Sequence, residues 1–262
     1  MKNIIVCVKQ VPDTTEIRLD PVKGTLIREG VPSIMNPDDK AGLEAALRLK
    51  DQLGSTITVI TMGPPQADEV LKEALAMGAD RAILLTDMKF AGADTLATAT
   101  ALAGAVRKLD YDLVITGRQA IDGDTAQVGP EMAEFLDLPQ ISYTAGIVAQ
   151  KDGSFLVDRK VEDRIYRLKV RTPFLVTVLA EGYQPRYMHV AKLLEAYREP
   201  KIEKWTAADL DVDPANLGLK GSPTKVNESY SKALKSEGKV YELDPAEAAK
   251  LIAEKLHEKY VL

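Results

Sequence analysis

Residues 57–85 read ITVITMGPPQADEVLKEALAMGADRAILL. The segment opens and closes with a short, mainly apolar run, 57–61 and 82–85, and such runs are typical of strands buried on both faces. Between them, apolar residues recur at helical spacing over 70–77, and Gly78 ends the pattern. A helix between two buried strands predicts one strand–helix–strand unit of a parallel sheet.

The same alternation continues on both sides of this unit. Residues 4–8 and 113–116 are further apolar runs of strand length. Asn36 is placed to cap a helix that ends at Gly54, and Asp94 is placed to cap a second, alanine-rich helix. Strands separated by helices predict a Rossmann-like α/β fold, with a parallel sheet and helices on both of its faces.

The pattern changes after Pro139. Four extended runs follow one another without a helical segment between them: 141–148, 155–161, 165–170 and 174–179. Asp152 and Gly153 favour a tight turn between the first two runs, which we therefore interpret as a hairpin. The four runs predict an antiparallel extension of the sheet.

The C-terminal part has a different composition. Three prolines and two glycines lie between 200 and 223, and 199–241 has little hydrophobic periodicity, which is typical of a linker or an arm. Asp244 then caps a helix with an apolar residue at every fourth position, at Ala248, Ile252, Leu256 and Tyr260. This helix either packs on its own domain or docks on a partner subunit. We expect a nucleotide-binding domain over 1–195 and a docking arm and helix over 196–262.

The composition excludes several classes of protein. The 262 residues carry a net charge of −5, and an acidic balance argues against nucleic acid as a partner. Cys7 is the only cysteine, which excludes an internal disulfide and a cysteine-rich metal site. His189 and His257 are too far apart in sequence to suggest a histidine metal site. No catalytic triad is visible, so any redox chemistry requires a bound cofactor.

The N-terminal apolar run is too short for a signal peptide, and no stretch approaches the roughly 18 apolar residues of a membrane span. We therefore expect no membrane insertion and a cytoplasmic location. In that compartment the Cys7 thiol is expected to stay reduced.

One loop carries most of the functional information. Ligands of parallel sheets bind beyond the carboxyl ends of the strands, and there residues 117–130 read GRQAIDGDTAQVGP. Gly123 permits close backbone approach, and the amides of the helix that follows are placed to receive a phosphate. Asp122 and Asp124 oppose an anion, cap that helix or accept hydrogen bonds from ribose. A surface turn with a helix cap and a nucleotide site both remain open, because GxGxxG and the P-loop are absent.

Eight motifs, in this order, resemble the beta subunit of electron-transfer flavoprotein over nearly the whole chain. They are VKQVPD (8–13), MNP (35–37), AALRLK (45–50), GP (63–64), ALAMGADR (74–81), GRQAID (117–122), PFLVTV (173–178) and PRY (185–187). One departure is Arg164, which stands after Glu162 and Asp163 where the family usually continues with glycine. It puts the turn at that point in doubt.

The resemblance implies a heterodimer with an alpha subunit that carries a mobile flavin domain. It also implies a nucleotide in this chain, which is AMP in simple electron carriers and a second FAD in the electron-bifurcating branch. Gly123 and Ala126 make the loop similar to the bifurcating version, since the AMP type has an acid and an asparagine at these positions.

The resemblance also assigns residues to the nucleotide. By position, the residues around it are Cys7, Asn36, Met62, Ala120, Asp122, Gly123, Asp124, Thr125, Ala126, Gln127 and Val128. Gly123 and Thr125 are assigned to the pyrophosphate, and the adenosine end is assigned to Cys7, Asn36, Met62 and Ala120. The loop over 21–36 is expected to approach the isoalloxazine ring.

The segment after PRY is the one with which the family grips an acyl-CoA dehydrogenase. Here its residues are Met188, His189, Val190, Ala191 and Lys192, with Val190 as the apolar anchor. The alternative is that Val190 merely starts a helix.

Three functional hypotheses follow. In the first, the bound FAD takes a hydride from NADH and bifurcates the electrons, to ferredoxin or flavodoxin and, through the alpha-subunit FAD, to the dehydrogenase. NADH oxidation then belongs only to the heterodimer. The second is a non-bifurcating carrier subunit that binds AMP, and the third is a nucleotide-binding regulatory module without a redox role.

Overall fold

The computed structural model describes residues 2–13, 32–225 and 238–261. Eleven strands lie within them: β1 (Asn3–Cys7), β2 (Gln10–Pro12), β3 (Ser33–Met35), β4 (Thr56–Met62), β5 (Arg81–Leu85), β6 (Leu113–Gly117), β7 (Gln140–Ala149), β8 (Phe155–Val161), β9 (Arg164–Val170), β10 (Phe174–Val178) and β11 (Ile202–Trp205). Nine of them form one sheet in the order β11-β5-β4-β1-β6-β10-β7-β8-β9. β2 and β3 form a separate antiparallel pair.

Helices cover both faces of this sheet. The described helices are α1 (Pro37–Leu53), α2 (Asp68–Met77), α3 (Thr95–Val106), α4 (Val128–Phe135), α5 (Val190–Arg198), the short α6 (Gly218–Gly221) and α7 (Pro245–Glu258). Val6 and Val59 pack against α1 and α2 in one core, while Ile5 and Ile60 pack with α3 and α4 in the other. Successive strand residues face opposite sides, so each central strand contributes to two cores. None of the helices described here is long and apolar enough to cross a membrane.

The predicted parallel unit over 57–85 is confirmed. β4 and β5 pair in parallel, and α2 connects them. Gly54 ends α1 with a φ of 65°, a left-handed conformation that suits glycine. The Asp94 carboxylate caps α3 by accepting from the amide of Ala97. The α/β class and these two helix boundaries were therefore predictable from local pattern.

The strand order contains a switch point. After β1 the chain builds β4 and β5 on one side, and it then crosses over to place β6 and β10 on the other. Neighbouring loops leave the carboxyl ends of β1 and β6 in opposite directions. In doubly wound sheets this divergence marks the place where ligands bind.

The predicted antiparallel extension is correct for β7, β8 and β9 but wrong for residues 174–179. β10 lies inside the sheet, parallel to both β6 and β7. Its five residues are all buried, which is the pattern of a central parallel strand. The turn placed in doubt by Arg164 is present, with Glu162 at a φ of 53° and Arg164 as the first residue of β9.

The expected boundary at residue 195 also differs from the structure. β11 pairs in parallel with β5, and Ala207, Leu210 and Leu217 are buried in the core beneath α3. Prolines and glycines in this stretch mark short turns laid on the domain itself. The first compact unit therefore spans Met1–Asn227, and the second spans Glu228–Leu262.

The second unit contains the predicted C-terminal helix. α7 begins directly after Asp244, whose carboxylate accepts from the amides of Ala246 and Glu247. None of the residues of α7 is buried, and Ile252 on its apolar face is 58% exposed.

Two glycines allow helices to begin close to the strand ends. A Cβ at Gly129 in α4 would lie 2.6 Å from Thr116 Oγ1 and 2.7 Å from Thr177 Cγ2. A Cβ at Gly117 would collide with the carboxylate and backbone of Asp39 in α1. These close approaches bring the starts of α1 and α4 to the carboxyl edge of the sheet.

Candidate functional site

The carboxyl ends of β1 and β6 are joined by an ion pair. Lys9, two residues after β1, places its Nζ 2.6 Å from Asp122 Oδ1 and 2.9 Å from Oδ2. The Asp122 side chain is nearly buried, whereas that of Lys9 is 45% exposed. The pair neutralises an acid that would otherwise oppose an anionic ligand at this edge.

Asn36 holds the loop after β6 in place. Its side chain is fully buried, its Nδ2 donates to the carbonyl of Gln119 at 2.8 Å, and its Oδ1 accepts from the amide of Ile121 at 3.1 Å. It occupies the N-cap position of α1, but no side-chain hydrogen bond caps the helix. The predicted position of the cap is therefore right, but the predicted capping hydrogen bond is absent because the side-chain amide of Asn36 binds the loop instead.

The two acids of the same turn hold further backbone groups. Asp39 accepts from the amides of Lys9 at 2.8 Å and Gly117 at 2.9 Å, and so ties the end of β1 to the end of β6. Asp38 accepts from the amides of Gln119 and Ala180. Because burial outweighs these hydrogen bonds, the pKa of Asp39 is raised to about 7.

The loop that follows lies at the surface. Residues 123–125 and Gln127 are exposed, and a Cβ at position 123 would meet no atom within 4 Å. Asp124 and Ala126 have φ values of 50° and 54°, a conformation that costs a non-glycine residue roughly 1–2 kcal/mol. Asp124 Oδ1 accepts from Gln119 Nε2 at 2.6 Å. The loop thus keeps a strained shape with an open outer face.

Neither acid of the loop caps α4, so that alternative is wrong. Gln127 occupies the N-cap position, Val128 begins the helix, and no side-chain cap satisfies its first amides. Thr95 Oγ1 lies 3.2 Å from Gln127 Oε1 and 3.1 Å from Glu131 Oε1. Burial raises the pKa of Glu131, and the charge of Asp94 adds to this effect. Neither Asp122 nor Asp124 therefore caps the positive end of α4, and Glu131 is the acid in its first turn.

The remaining predicted residues lie at the same edge. Cys7 ends β1 and is buried, and burial together with the Asp39 charge raises the pKa of its thiol to about 12. Met62 ends β4 and is partly exposed, and Ala120 is half-buried in the loop after β6. Residues 14–31, which include most of the segment expected near an isoalloxazine ring, lie outside the described residues.

Asn36→Ala is expected to lower the free energy of unfolding by about 1–3 kcal/mol, because it removes two partly buried hydrogen bonds, to the carbonyl of Gln119 and from the amide of Ile121. The measurement is urea denaturation of the variant beside Asn216→Ala, whose side chain carries no such pair of loop contacts among the described hydrogen bonds. Equal stabilities for both variants would contradict the role assigned to Asn36.

Residues 23–210 match the family model described as the electron transfer flavoprotein domain, which covers well over half of the chain. The chain belongs to the electron transfer flavoprotein family. The family match agrees with the mixed fold, in which a largely parallel sheet is flanked by helices.

Three relatives match most of the chain. The chain is 57% identical to the electron transfer flavoprotein subunit beta of Clostridium acetobutylicum, over 99% of this chain and 100% of that protein. It is 47% identical to the caffeyl-CoA reductase-Etf complex subunit CarD of Acetobacterium woodii, over 99% of each. It is 48% identical to Protein FixA of Azorhizobium caulinodans, over 90% of this chain and 86% of that protein.

In this member of the electron transfer flavoprotein family, the segment after PRY is exposed. Met188, His189, Val190, Ala191 and Lys192 are all at the surface. Val190 is the first residue of α5, yet its side chain is 70% exposed. The helix start therefore does not use that side chain, which leaves it available to a partner.

Sequence reasoning missed three residues at this edge. Lys9 lies in a quoted motif without an assigned role, and no role is assigned to Asp38 and Asp39 from sequence. A signal was present, since two carboxylates beside a buried asparagine at a strand edge are suited to accept backbone amides. The sequence alone does not show that the turn at 36–39 and the loop at 117–122 lie next to each other in the fold.

Proposed function

We propose that this chain is the small subunit of a heterodimeric flavoprotein and binds FAD at the carboxyl edge of β1 and β6. The observation that carries the proposal is the open outer face of the loop, where a Cβ added at Gly123 would have no atom within 4 Å. A dinucleotide needs such room for its pyrophosphate, and a backbone without side chains allows the closest approach.

One of the two acids at the loop is neutralised. Lys9 forms an ion pair with Asp122, whereas Asp124 accepts from Gln119, a neutral amide that does not cancel its charge. The uncapped start of α4 adds the positive end of a helix dipole. We assign the pyrophosphate to Gly123, Thr125 and the amides that begin α4.

The adenosine end is assigned to the strand ends. Cys7 and Met62 end β1 and β4, and Ala120 follows β6. A buried neutral thiol suits the packing of a flat ring. Asn36, which is also expected to lie near the adenosine, has a further role in the site. Its amide is engaged by the loop, so it shapes the site through Gln119 and Ile121.

FAD, when bound, supplies the capacity to accept a hydride and to pass on single electrons. The chain's residues bind and orient it. We propose NADH as the hydride donor, ferredoxin or flavodoxin as the low-potential acceptor, and an acyl-CoA dehydrogenase as the acceptor reached through the alpha subunit. These soluble partners imply a cytoplasmic location.

The experiment is electron transfer by the co-purified heterodimer. We expect NADH to reduce ferredoxin only when the dehydrogenase and its enoyl-CoA acceptor are present. Transfer to the dehydrogenase without ferredoxin reduction would instead support an AMP-binding carrier. A stable solitary chain with no electron transfer at all would support the regulatory module, which the family membership disfavours.

We further propose that α7 docks on the alpha subunit. Its apolar face carries Ile252 at 58% exposure, and Ala248, Leu256 and Tyr260 follow the same helical row. A row of this kind on a capped helix without buried residues is typical of a helix that packs on another chain.

Val190→Asp is expected to weaken the interaction with the dehydrogenase at least tenfold, because it places a charge on an exposed apolar anchor. The measurement is the concentration of dehydrogenase needed for half-maximal electron transfer. FAD content is the control and is expected to stay unchanged. The assignment of Val190 as a partner contact would be contradicted if the variant kept its affinity for the dehydrogenase. It would also be contradicted if the tenfold weaker interaction came with a loss of bound FAD.

A further inference from the structure

The first turn of α4 contains a carboxyl group with only one of its two oxygens engaged. Glu131 Oε1 lies 3.1 Å from Thr95 Oγ1, at the start of α3. The second oxygen, Oε2, is buried and has no hydrogen-bond partner among the described residues. An ionised oxygen that is buried without a donor is costly, and protonation of the carboxyl removes its charge.

The hydroxyl of Thr95 lies between two oxygens. It is 3.1 Å from Glu131 Oε1 and 3.2 Å from Gln127 Oε1, and Gln127 occupies the N-cap position of α4. A hydroxyl has one proton, so Thr95 donates to one of these oxygens at a time. A proton on Glu131 supplies the donor for the other contact.

The elements packed against α4 offer no positive charge to its first turn. α4 packs against α3 and against β6, β7 and β10. β6 and β10 contain no titratable side chain, and β7 contains only Tyr143. α3 contains none between Thr95 and Val106, so its charged neighbours lie at its two ends.

The charge at the near end of α3 is negative. Asp94 caps that end, whereas Arg107 follows the far end and donates to the carbonyl of Phe135, where α4 finishes. Burial raises the pKa of Glu131 above its ordinary value, and the charge of Asp94 raises it further. Among the described residues, a proton is therefore the only counter-charge close to this carboxyl.

A bound nucleotide adds negative charge at the same place. The proposed function assigns its phosphate to the amides that begin α4, and FAD and AMP both bring a phosphate. The phosphate and the Glu131 carboxylate then compete for one positive helix end. A second negative charge near a carboxylate favours the protonated form of that carboxyl.

We propose that Glu131 takes up a proton from solvent when the nucleotide binds, so that the nucleotide binds more tightly as the pH falls. The carboxyl is neutral in the complex and no longer opposes the phosphate. Its pKa, ordinarily 4.5, is raised in the free chain and is raised again in the complex. Affinity therefore falls as the pH rises from the first of these pKa values to the second. The inference rests on the proposed function and adds its dependence on pH.

Fluorescence titration of the heterodimer with FAD between pH 5 and pH 8 measures this dependence. The pyrophosphate of FAD stays ionised over this range, so the change reports on protein groups. We expect the dissociation constant of the wild type to rise about tenfold, which corresponds to a shift of one pKa unit on binding. Glu131→Gln keeps the size of the side chain without its titration, and it is expected to bind FAD more tightly than the wild type at pH 8.

Two comparisons isolate Glu131 from other titrating groups. Asp39 also titrates near the site, and the ratio of the dissociation constants of the wild type and Glu131→Gln cancels its contribution. Glu134→Gln is the matched control, because Glu134 is an exposed acid on the same helix, and it is expected to follow the wild type within twofold at every pH. Calorimetry in two buffers of different ionisation enthalpy is expected to show less proton uptake per FAD for Glu131→Gln than for the wild type.

The outcomes separate the proton uptake from the proposed function. If the heterodimer binds neither FAD nor AMP at this site, the proposed function fails. If it binds AMP alone, the same ratio measured with AMP decides the role of Glu131, because the titration of the ligand also cancels. Parallel pH curves for the wild type and Glu131→Gln, with equal proton uptake, would overturn the role of Glu131 alone.

Discussion

Gly123→Asp is expected to weaken FAD binding about a hundredfold, which corresponds to roughly 3 kcal/mol. A new carboxylate at this position lies against the proposed pyrophosphate, and two like charges about 5 Å apart repel by roughly that amount near a protein surface. Fold stability is expected to stay unchanged, because a side chain at position 123 enters open space. The measurement is FAD titration of the heterodimer by fluorescence.

Two neighbouring variants separate charge from size. Gly123→Asn has nearly the same volume as Gly123→Asp without its charge, and we expect it to weaken FAD binding less than tenfold. Gly123→Ala is expected to weaken FAD binding least of the three variants, because its methyl group is the smallest obstacle to the pyrophosphate. Equal FAD affinities for the wild-type and Gly123→Asp proteins would contradict the assignment of the pyrophosphate to this loop. Equal losses of affinity in the Asp and Asn variants would show that crowding, and not charge, causes the effect.

Asp39 is expected to make the protein less stable as the pH rises from about 4 to about 7. The pKa of this carboxyl is about 7 in the folded chain and ordinarily 3.8, so the folded state binds the proton more tightly than the unfolded state. The stabilisation is therefore complete below pH 4 and lost above pH 7. A pKa difference of about three units corresponds to a loss of about 4 kcal/mol in the free energy of unfolding over this pH range.

Asp39→Asn tests this assignment, since an amide does not titrate. Urea denaturation between pH 5 and pH 8 is expected to show a falling stability for the wild type and a much flatter dependence for the variant. Asp112→Asn is the control, because Asp112 also accepts a backbone amide, from Asn3, but at a partly exposed site. Parallel curves for wild type and Asp39→Asn would contradict the raised pKa.

The fold was largely predictable because its central signals are local. Residues 57–85 contain two buried strands and one helix, and their periodicity survives in the structure as β4, α2 and β5. The error concerned residues 174–179. A short, mainly apolar run looks the same in either strand direction, and the direction depends on the crossover that precedes it. The expected domain boundary at residue 195 has a related cause. Prolines and glycines mark turns, but they do not reveal what the turns pack on.

The segments that form the candidate site were predictable from sequence, but the contacts between them were not. The loop at 117–130 was recognised because glycine, threonine and a helix start lie together in sequence. Lys9 and Asp122 are separated by more than a hundred positions, and their contact depends on β1 and β6 being neighbours. Asn36 before Pro37 predicts a helix cap from local sequence, but in the structure its side-chain amide forms hydrogen bonds with the loop instead.

The nucleotide content of the co-purified heterodimer tests the proposed function. The complex is denatured, and the released nucleotides are separated and quantified against protein concentration. We predict two FAD per heterodimer, of which Gly123→Asp loses one. One FAD and one AMP per heterodimer would contradict electron bifurcation at this site and identify the chain as the subunit of a simple electron carrier.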